Sequence, residues 1–419
     1  MVTQKTILPS QLNAAEQPNI LNLVDFCKGF LILWVAYFHF HKGDGIGWQG
    51  VHPFIVFSGF GLTYSCLMKG TQGVDWKQWF LKRAQRILPA YWIVCFVGLV
   101  LAIFFSFYNH DSCNLRDCAL RPTVQFFLEV SFLKVLSYRT MWSLLYLDHM
   151  WFIPLIVSFY AVFPLLFKFL VASGNVTKNC IRLFAIAVVA EFLYRFLAIY
   201  LLDGFPVGYE NALFGISAPA PLDTLPSWFP FQLQMPFGLF PSRIGEFALG
   251  MLAAVAIVHH QQKLNRVFAS SMVVLGLLVW AVGCALIYIN RLGWVAADFL
   301  IALGLVLVCV NLAWLSQRHS PFIFSKLTTL GIWSYCIYLT HNLFRHIWLP
   351  LEVRVINLLS ALPNSAPYSL FFVFKVKVAM LLIFSAGILL ASWLLMRFDR
   401  SKLPKWLMQN TLEKVLTPS

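Results

Sequence analysis

Apolar runs long enough to cross a hydrocarbon core recur along nearly the whole chain, at about 22–40, 50–68, 89–108, 151–171, 182–202, 239–258, 268–289, 294–315, 329–350 and 369–396. A spanning helix needs ~20 predominantly apolar residues, so the pattern predicts about ten transmembrane helices. Val124–Leu136 is too short to cross and carries Glu129 and Lys134, so it reads as an interfacial segment. The stretch 203–238, rich in proline and aromatics, leaves room for a re-entrant piece. No repeat stands out, and no polar stretch is long enough for a soluble domain. The expected fold is therefore an all-α, polytopic membrane helix bundle. Its membrane domain covers 21–398, between tails at 1–20 and 399–419.

Composition sharpens this picture. The chain is 60% hydrophobic and 11% charged, against about 25% charged in an average soluble domain. The net charge of +14 has no soluble basic stripe to serve a nucleic acid, so a positive-inside bias explains it better. With the N-terminus placed inside, the Lys69–Arg86 cluster and the basic tail from Arg397 onwards share the cytoplasmic face. The expectation is a multi-pass protein of the plasma (inner) membrane with both termini cytoplasmic. The first twenty residues hold no apolar core, so the first span is expected to act as an uncleaved signal anchor. The nine cysteines form no CxxC, and most lie in apolar runs. Cys113 and Cys118 share a polar loop expected outside, where a disulfide would persist; their pairing is left open.

Ionisable residues inside the spans are the candidates for chemistry. The first span carries Asp25 and Lys28 near one end and His39 near the other. The eleven-residue step from Lys28 to His39 corresponds to about 16 Å of helix. A histidine at a helix end is more often an interfacial side chain than a catalyst, yet imidazole is the natural general base for a hydroxyl. Arg83 and Arg86 share a helix face at i, i+3, where planar guanidinium forks suit phosphate oxygens. The plainer reading is a cytoplasmic flank of positive charge. Arg243 with Glu246, and Glu191 with Arg195, have the spacing of local neutralising pairs, whereas Asp298 must find a partner on another helix. Ser334, Tyr335, Tyr338 and His341 thread polar groups through the ninth span, where glue between helices is the plain alternative. No motif for a bound metal is present.

The order of these motifs resembles the acyltransferase 3 family, integral membrane O-acyltransferases that decorate cell-surface sugars. Asp25, Lys28 and His39 follow the family's Asp-Gly-Leu-Arg … His pattern. Gly50-Val51 … Phe54 … Ser58-Gly59-Phe60 is similar to its turn into the second span. Phe80 … Arg83-x-x-Arg86 … Pro89 and His149-Met150-Trp151 … Phe159-Tyr160 … Pro164 resemble its next two blocks. Arg243 … Glu246-Phe247 … Gly250 and Gly331 … Ser334-Tyr335 … Tyr338 … His341 match the later ones. The chain departs from the family pattern at three places: Lys28 replaces arginine, His52 stands for an aspartate, and Ile156-Val157 occupy the place of a glutamate pair.

The resemblance implies transfer of an acyl group, most often acetyl, from cytoplasmic acyl-CoA to a sugar hydroxyl of a surface glycan or its lipid-linked precursor. It implies a catalytic His39, a donor site at Arg83, Arg86 and Lys28, and support from Asp25, Ser58, Trp151, Arg243, Glu246, Ser334, Tyr335 and His341. Tyr335, Tyr338, Ser334 or a backbone N–H near Ser58-Gly59 are candidate oxyanion donors, and Trp151 a platform for a sugar ring. Expected partners are the glycan acceptor and the bilayer, with no nucleic acid and no metal; a homo-oligomer is left open. The rival class is a transporter or polysaccharide-export component without chemistry of its own.

Overall fold

The computed structural model describes residues 19–40, 47–70, 74–109, 114–136, 147–172, 174–201, 238–264, 268–289, 292–360 and 369–401. Ten helices among them are long and apolar enough to cross a membrane. In chain order the helices are α1 (Ile20–Phe40), α2 (Val51–Met68), α3 (Trp76–Asn109), the short α4 (Arg121–Val130), α5 (Phe152–Val171), α6 (Val176–Leu201), α7 (Ile244–Leu264), α8 (Ser270–Ile289), α9 (Gly293–His319), α10 (Pro321–Ser360) and α11 (Ser369–Arg400). No strand occurs among the described residues, and the protein is a polytopic helical bundle. The 203–238 stretch proposed to hold a re-entrant piece lies, apart from Gly238, outside the described residues.

Two boundaries differ from the hydrophobic pattern. α3 begins at Trp76, so Arg83 and Arg86 lie well within a helix, and Pro89 is an interior proline rather than a start signal. The first three turns of α3 mix charged residues with Trp79 and Leu81, which a search for unbroken apolar runs passes over. α10 has 40 residues, about 60 Å of helix at the usual rise, roughly twice the hydrocarbon thickness. α4 carries Val124 and Phe127 exposed along one side, in line with Leu120 just before it, and buries Glu129 on the other, the shape expected of a segment too short to cross.

α1 and α10 pack main chain against main chain. A Cβ on Gly331 would overlap the carbonyl of Asp25, and one on Gly29 the carbonyl of Leu327. The same device joins α2 to α7 through Gly59 and Gly250. Small residues at a crossing let backbones approach and dispersion act where there is no hydrophobic drive between helices. Around these crossings Phe159 stacks on Phe247 with ring centroids 4.4 Å apart, tying α5 to α7.

A second tie is ionic. Oδ2 of Asp298 on α9 lies 2.9 Å from Nη1 of Arg195 on α6 and 2.9 Å from Nη1 of Arg243, just before α7. His52, at the start of α2, places Nδ1 3.0 Å from Oε1 of Glu246. Arg195 also donates from Nη2 to the Trp294 carbonyl at 2.7 Å, and Glu191 accepts the Gly245 N–H at 2.7 Å. The expected Arg243–Glu246 pair forms loosely, at 3.7 Å. Glu191 and Arg195, expected to neutralise one another, both look beyond their own helix: Asp298 offers Arg195 a fully buried carboxylate with better geometry than the i, i+4 neighbour. The partner sought for Asp298 on another helix is thus a pair of guanidinium groups.

Three outcomes follow for stability. Gly331→Ala is expected to cost about 1–3 kcal/mol through forced separation of α1 and α10. Gly61→Ala, with nothing within 4 Å of its Cβ position, is expected to leave the melting temperature of the detergent-solubilised protein unchanged or slightly raised. Asp298→Ala removes the carboxylate that two buried guanidinium groups share, and losing one partner of such a cluster costs about 3–5 kcal/mol. Thermal melts that place Asp298→Ala beside the wild type would remove the cluster from the bundle's stability.

Candidate active site

α1 delivers Asp25 and Lys28 to one end of the bundle, where Lys28 Nζ sits 3.3 Å from Asp25 Oδ1. Both line a cavity of about 470 Å³ together with Arg83 and Arg86 from α3. Arg86 is exposed and Arg83 half-buried, its guanidinium 5.6 Å from the Trp79 ring centre. The cavity is therefore positively charged at its mouth. Further in, its walls become apolar: Ile32, Val35, Val51, Phe54, Phe152 and Ile156. On the α10 side it passes Ser334, Tyr335 and Tyr338.

Just past the inner end of this cavity stand three histidines. His39 lies one helical turn beyond Val35, and His341 one residue short of a turn beyond Tyr338. Their ring centroids are 5.0 Å apart. His149, in the turn Asp148–Trp151 that leads into α5, is 4.7 Å from His341 and 6.1 Å from His39. Gly29 and Gly331 fix the height at which α1 and α10 cross, and each helix then runs ten further residues to its histidine. Equal steps of about 15 Å bring His39 and His341 out level.

One carbonyl aims the two neighbouring rings. The oxygen of Tyr338 lies 2.9 Å from Nε2 of His149 and 2.8 Å from Nδ1 of His341. A carbonyl only accepts, so those nitrogens carry the hydrogens, and in neutral rings Nδ1 of His149 and Nε2 of His341 are the acceptors. The Tyr338 hydroxyl returns a hydrogen bond to the His149 carbonyl. The chain just before His149 is pinned as well. Buried Lys134 pairs with Glu129 at 3.2 Å and donates to the Leu147 carbonyl, while the Tyr91 hydroxyl donates to the Glu129 carbonyl at 2.8 Å.

Of the residues singled out from sequence, Asp25, Lys28, Ser58, Arg83, Arg86, Ser334 and Tyr335 share the cavity. His39 and His341 meet each other past its inner end and do not line it. Trp151, Arg243 and Glu246 are not among its described lining; Arg243 and Glu246 belong to the ionic tie described above, and Trp151 packs against Arg243. Trp151 is 6% exposed and has the Arg243 guanidinium 5.6 Å from its ring centre, so it is not presented as a sugar platform. Several oxyanion candidates are committed elsewhere. The Tyr335 hydroxyl donates to the Ile87 carbonyl and Ser58 to the Phe54 carbonyl, each at 2.8 Å. Ser58 and Gly59 also lie mid-helix, where backbone N–H groups bond within α2. Ser334 still offers a hydroxyl to the cavity.

His149 is the residue that spacing arguments missed as a site member; its only signal was its place in the His149-Met150-Trp151 block. His52, Glu246 and Asp298 bring possible metal ligands within 4.8 Å of one another. Two guanidinium groups already supply the positive charge a cation would bring there. Cys118 is disulfide-bonded; Cys113, the partner considered for it, lies outside the described residues.

No curated protein and no solved structure matches the chain. The sequence profile described as an acyltransferase domain, that of the acyltransferase 3 family, matches residues 21–397. Its coverage takes in both the basic mouth and the histidine cluster, and the protein belongs to this family of membrane acyltransferases.

Proposed function

We propose that the protein moves an acyl group, acetyl in the simplest case, from acyl-CoA to a hydroxyl of a sugar in a cell-surface glycan or its lipid-linked precursor. The observation that carries this reading is the cavity: Arg83 and Arg86 line it at one end, and Val35 and Tyr338, which line it at the other, come about one helical turn before His39 and His341. Arg83, Arg86 and Lys28 suit the phosphates of the nucleotide end. The apolar walls at Ile32, Val35, Phe54 and Ile156 suit a pantetheine arm, which carries no charge. An ionic nucleotide held at the mouth then need not enter the membrane interior, where charge is costly.

At the inner end His39 takes the proton of the acceptor hydroxyl as its oxygen attacks the thioester carbonyl carbon. The carbon–sulfur bond breaks, the acyl group stays on the sugar oxygen, and the sulfur leaves as thiolate and recovers the proton from His39 as thiol. General-base assistance of this kind contributes about 10²–10⁴-fold. An acyl-histidine intermediate is the other route open to the same ring. The positive-inside bias puts the arginine mouth at the cytoplasm and the histidines towards the outer face, so donor and acceptor approach from opposite sides of the plasma membrane.

Purified protein supplied with radiolabelled acetyl-CoA and candidate glycans tests this directly. His39→Ala is expected to lower transfer by at least 10²-fold with expression retained. Arg83→Ala or Arg86→Ala is expected chiefly to raise the KM for acetyl-CoA by about 5–100-fold, losing roughly 1–3 kcal/mol of charge-assisted binding. No thioester turnover with any acceptor would favour a carrier without chemistry of its own. An unchanged KM would take the arginines out of the donor site.

A further inference from the structure

The departures of this chain from its family leave a question that the geometry answers. His52 is turned to Glu246, and Ile156 is an apolar wall of the cavity. The described rings beside His39 are instead imidazoles, His341 at 5.0 Å and His149 at 6.1 Å. Resting on the reading of His39 as the base, we propose that His341 is its positioning residue: with the acceptor bound, Nε2 of His341 accepts the N–H of the His39 ring and leaves the other His39 nitrogen aimed at the acceptor hydroxyl.

Three observations support this. First, an N–H···N bond of about 2.9 Å between two imidazoles puts their centroids about 5 Å apart. The rings stand 5.0 Å apart with planes at 47°, near enough for that bond but not aligned for it in the structure, whereas 6.1 Å to His149 is beyond it; catalytic hydrogen bonds often tighten only when substrate is bound. Second, His341 is held in the required tautomer. Its Nδ1 faces two carbonyls, Tyr338 at 2.8 Å and Ile337 at 3.1 Å, so Nε2 is the accepting nitrogen of the neutral ring. Third, the ring cannot swing away. It is 1% exposed, and His149, held by the same Tyr338 carbonyl, packs edge-on against it at 76°. His149 thereby buttresses His341, and His341 orients His39. A base needs one ring nitrogen fixed for the other to be aimed, and histidine's second nitrogen is usually fixed by a carboxylate or carbonyl. Here an imidazole takes that place.

The test compares His341→Gln, His341→Phe and His341→Ala in detergent or nanodiscs, with melting temperatures measured alongside. Glutamine can donate to the Tyr338 carbonyl and accept from His39; phenylalanine fills the space but cannot accept. Expected are a kcat lowered about 10–100-fold in the Phe and Ala variants, with the KM for acetyl-CoA unchanged, and recovery of most of that loss in the Gln variant. Should the Phe variant not fold, His341→Leu takes its place in the same comparison. Full turnover in a folded Phe or Leu variant, or a loss in Gln equal to that in Phe, overturns the proposal. An active His39→Ala protein overturns the reading beneath it, whereas an inactive His39→Ala beside a fully active His341→Phe overturns only the positioning role.

Discussion

Two glycines let the main chains of α1 and α10 touch, and the chemistry-bearing residues of both helices are placed by that contact. Asp25, Lys28 and His39 ride on one helix; Ser334, Tyr335, Tyr338 and His341 ride on the other. Both helices run from the basic end of the bundle towards the histidine end, so matched steps from the crossing bring matched heights. A larger side chain at the crossing would push the axes apart by more than an ångström, enough to lose a ring separation of 5.0 Å. The crossing thus belongs to the site as much as to the core, although it lies some 15 Å from the imidazoles.

Charge imposes the second condition. A bilayer interior offers no water to an unpaired ion, and the protein satisfies its buried charges by linking helices rather than neutralising each within its own. Asp298 alone joins α6, the chain entering α7, and α9, while His52 and Glu246 join α2 to α7. Such clusters add little stability over an apolar core, but their geometry is directional and penalises a misplaced helix. The Glu129–Lys134 pair works similarly at smaller scale: it locks α4 and reaches the Leu147 carbonyl two residues before His149.

Much of this was legible in the chain, for identifiable reasons. Ten spans follow from apolar run length, which a bilayer constrains tightly. His39 stood out because an ionisable group in an apolar run is rare, and Arg83 and Arg86 because their i, i+3 spacing puts them on one helix face, which the structure turns to the cavity. The start of α3 was not, since a helix leaving the membrane turns amphipathic and drops below any hydropathy threshold. Nor were the partners of Asp298 and Glu191 legible, because local spacing suggests i, i+4 pairs while tertiary contacts offer better ones. The role assigned to Trp151 failed for a related reason: an aromatic beside a candidate site looks like a platform until a guanidinium is found against its ring. His149 went unchosen because nothing in its sequence spacing links it to α1 or α10. The link is tertiary: the Tyr338 carbonyl shared with His341, and the Tyr338 hydroxyl that donates to the carbonyl of His149.

The imidazole partner proposed for His39, in place of a carboxylate, has a physical consequence for the proposed reaction. A carboxylate would hold a permanent negative charge in a dry site, at a desolvation cost of several kcal/mol unless fully paired. A neutral imidazole imposes no such cost and still fixes the ring. What it gives up is stabilisation of the imidazolium that forms when His39 takes a proton. That loss matters least if the charge is short-lived, and the thioester provides for this: the departing sulfur is born as a thiolate and accepts the same proton. In that reading, positive charge on His39 and negative charge on sulfur arise and cancel just beyond a cavity whose described walls near that end, from Val35 to Ile156, are apolar. The apolar residues standing where the family carries acids are consistent with a site that moves a proton without storing a charge.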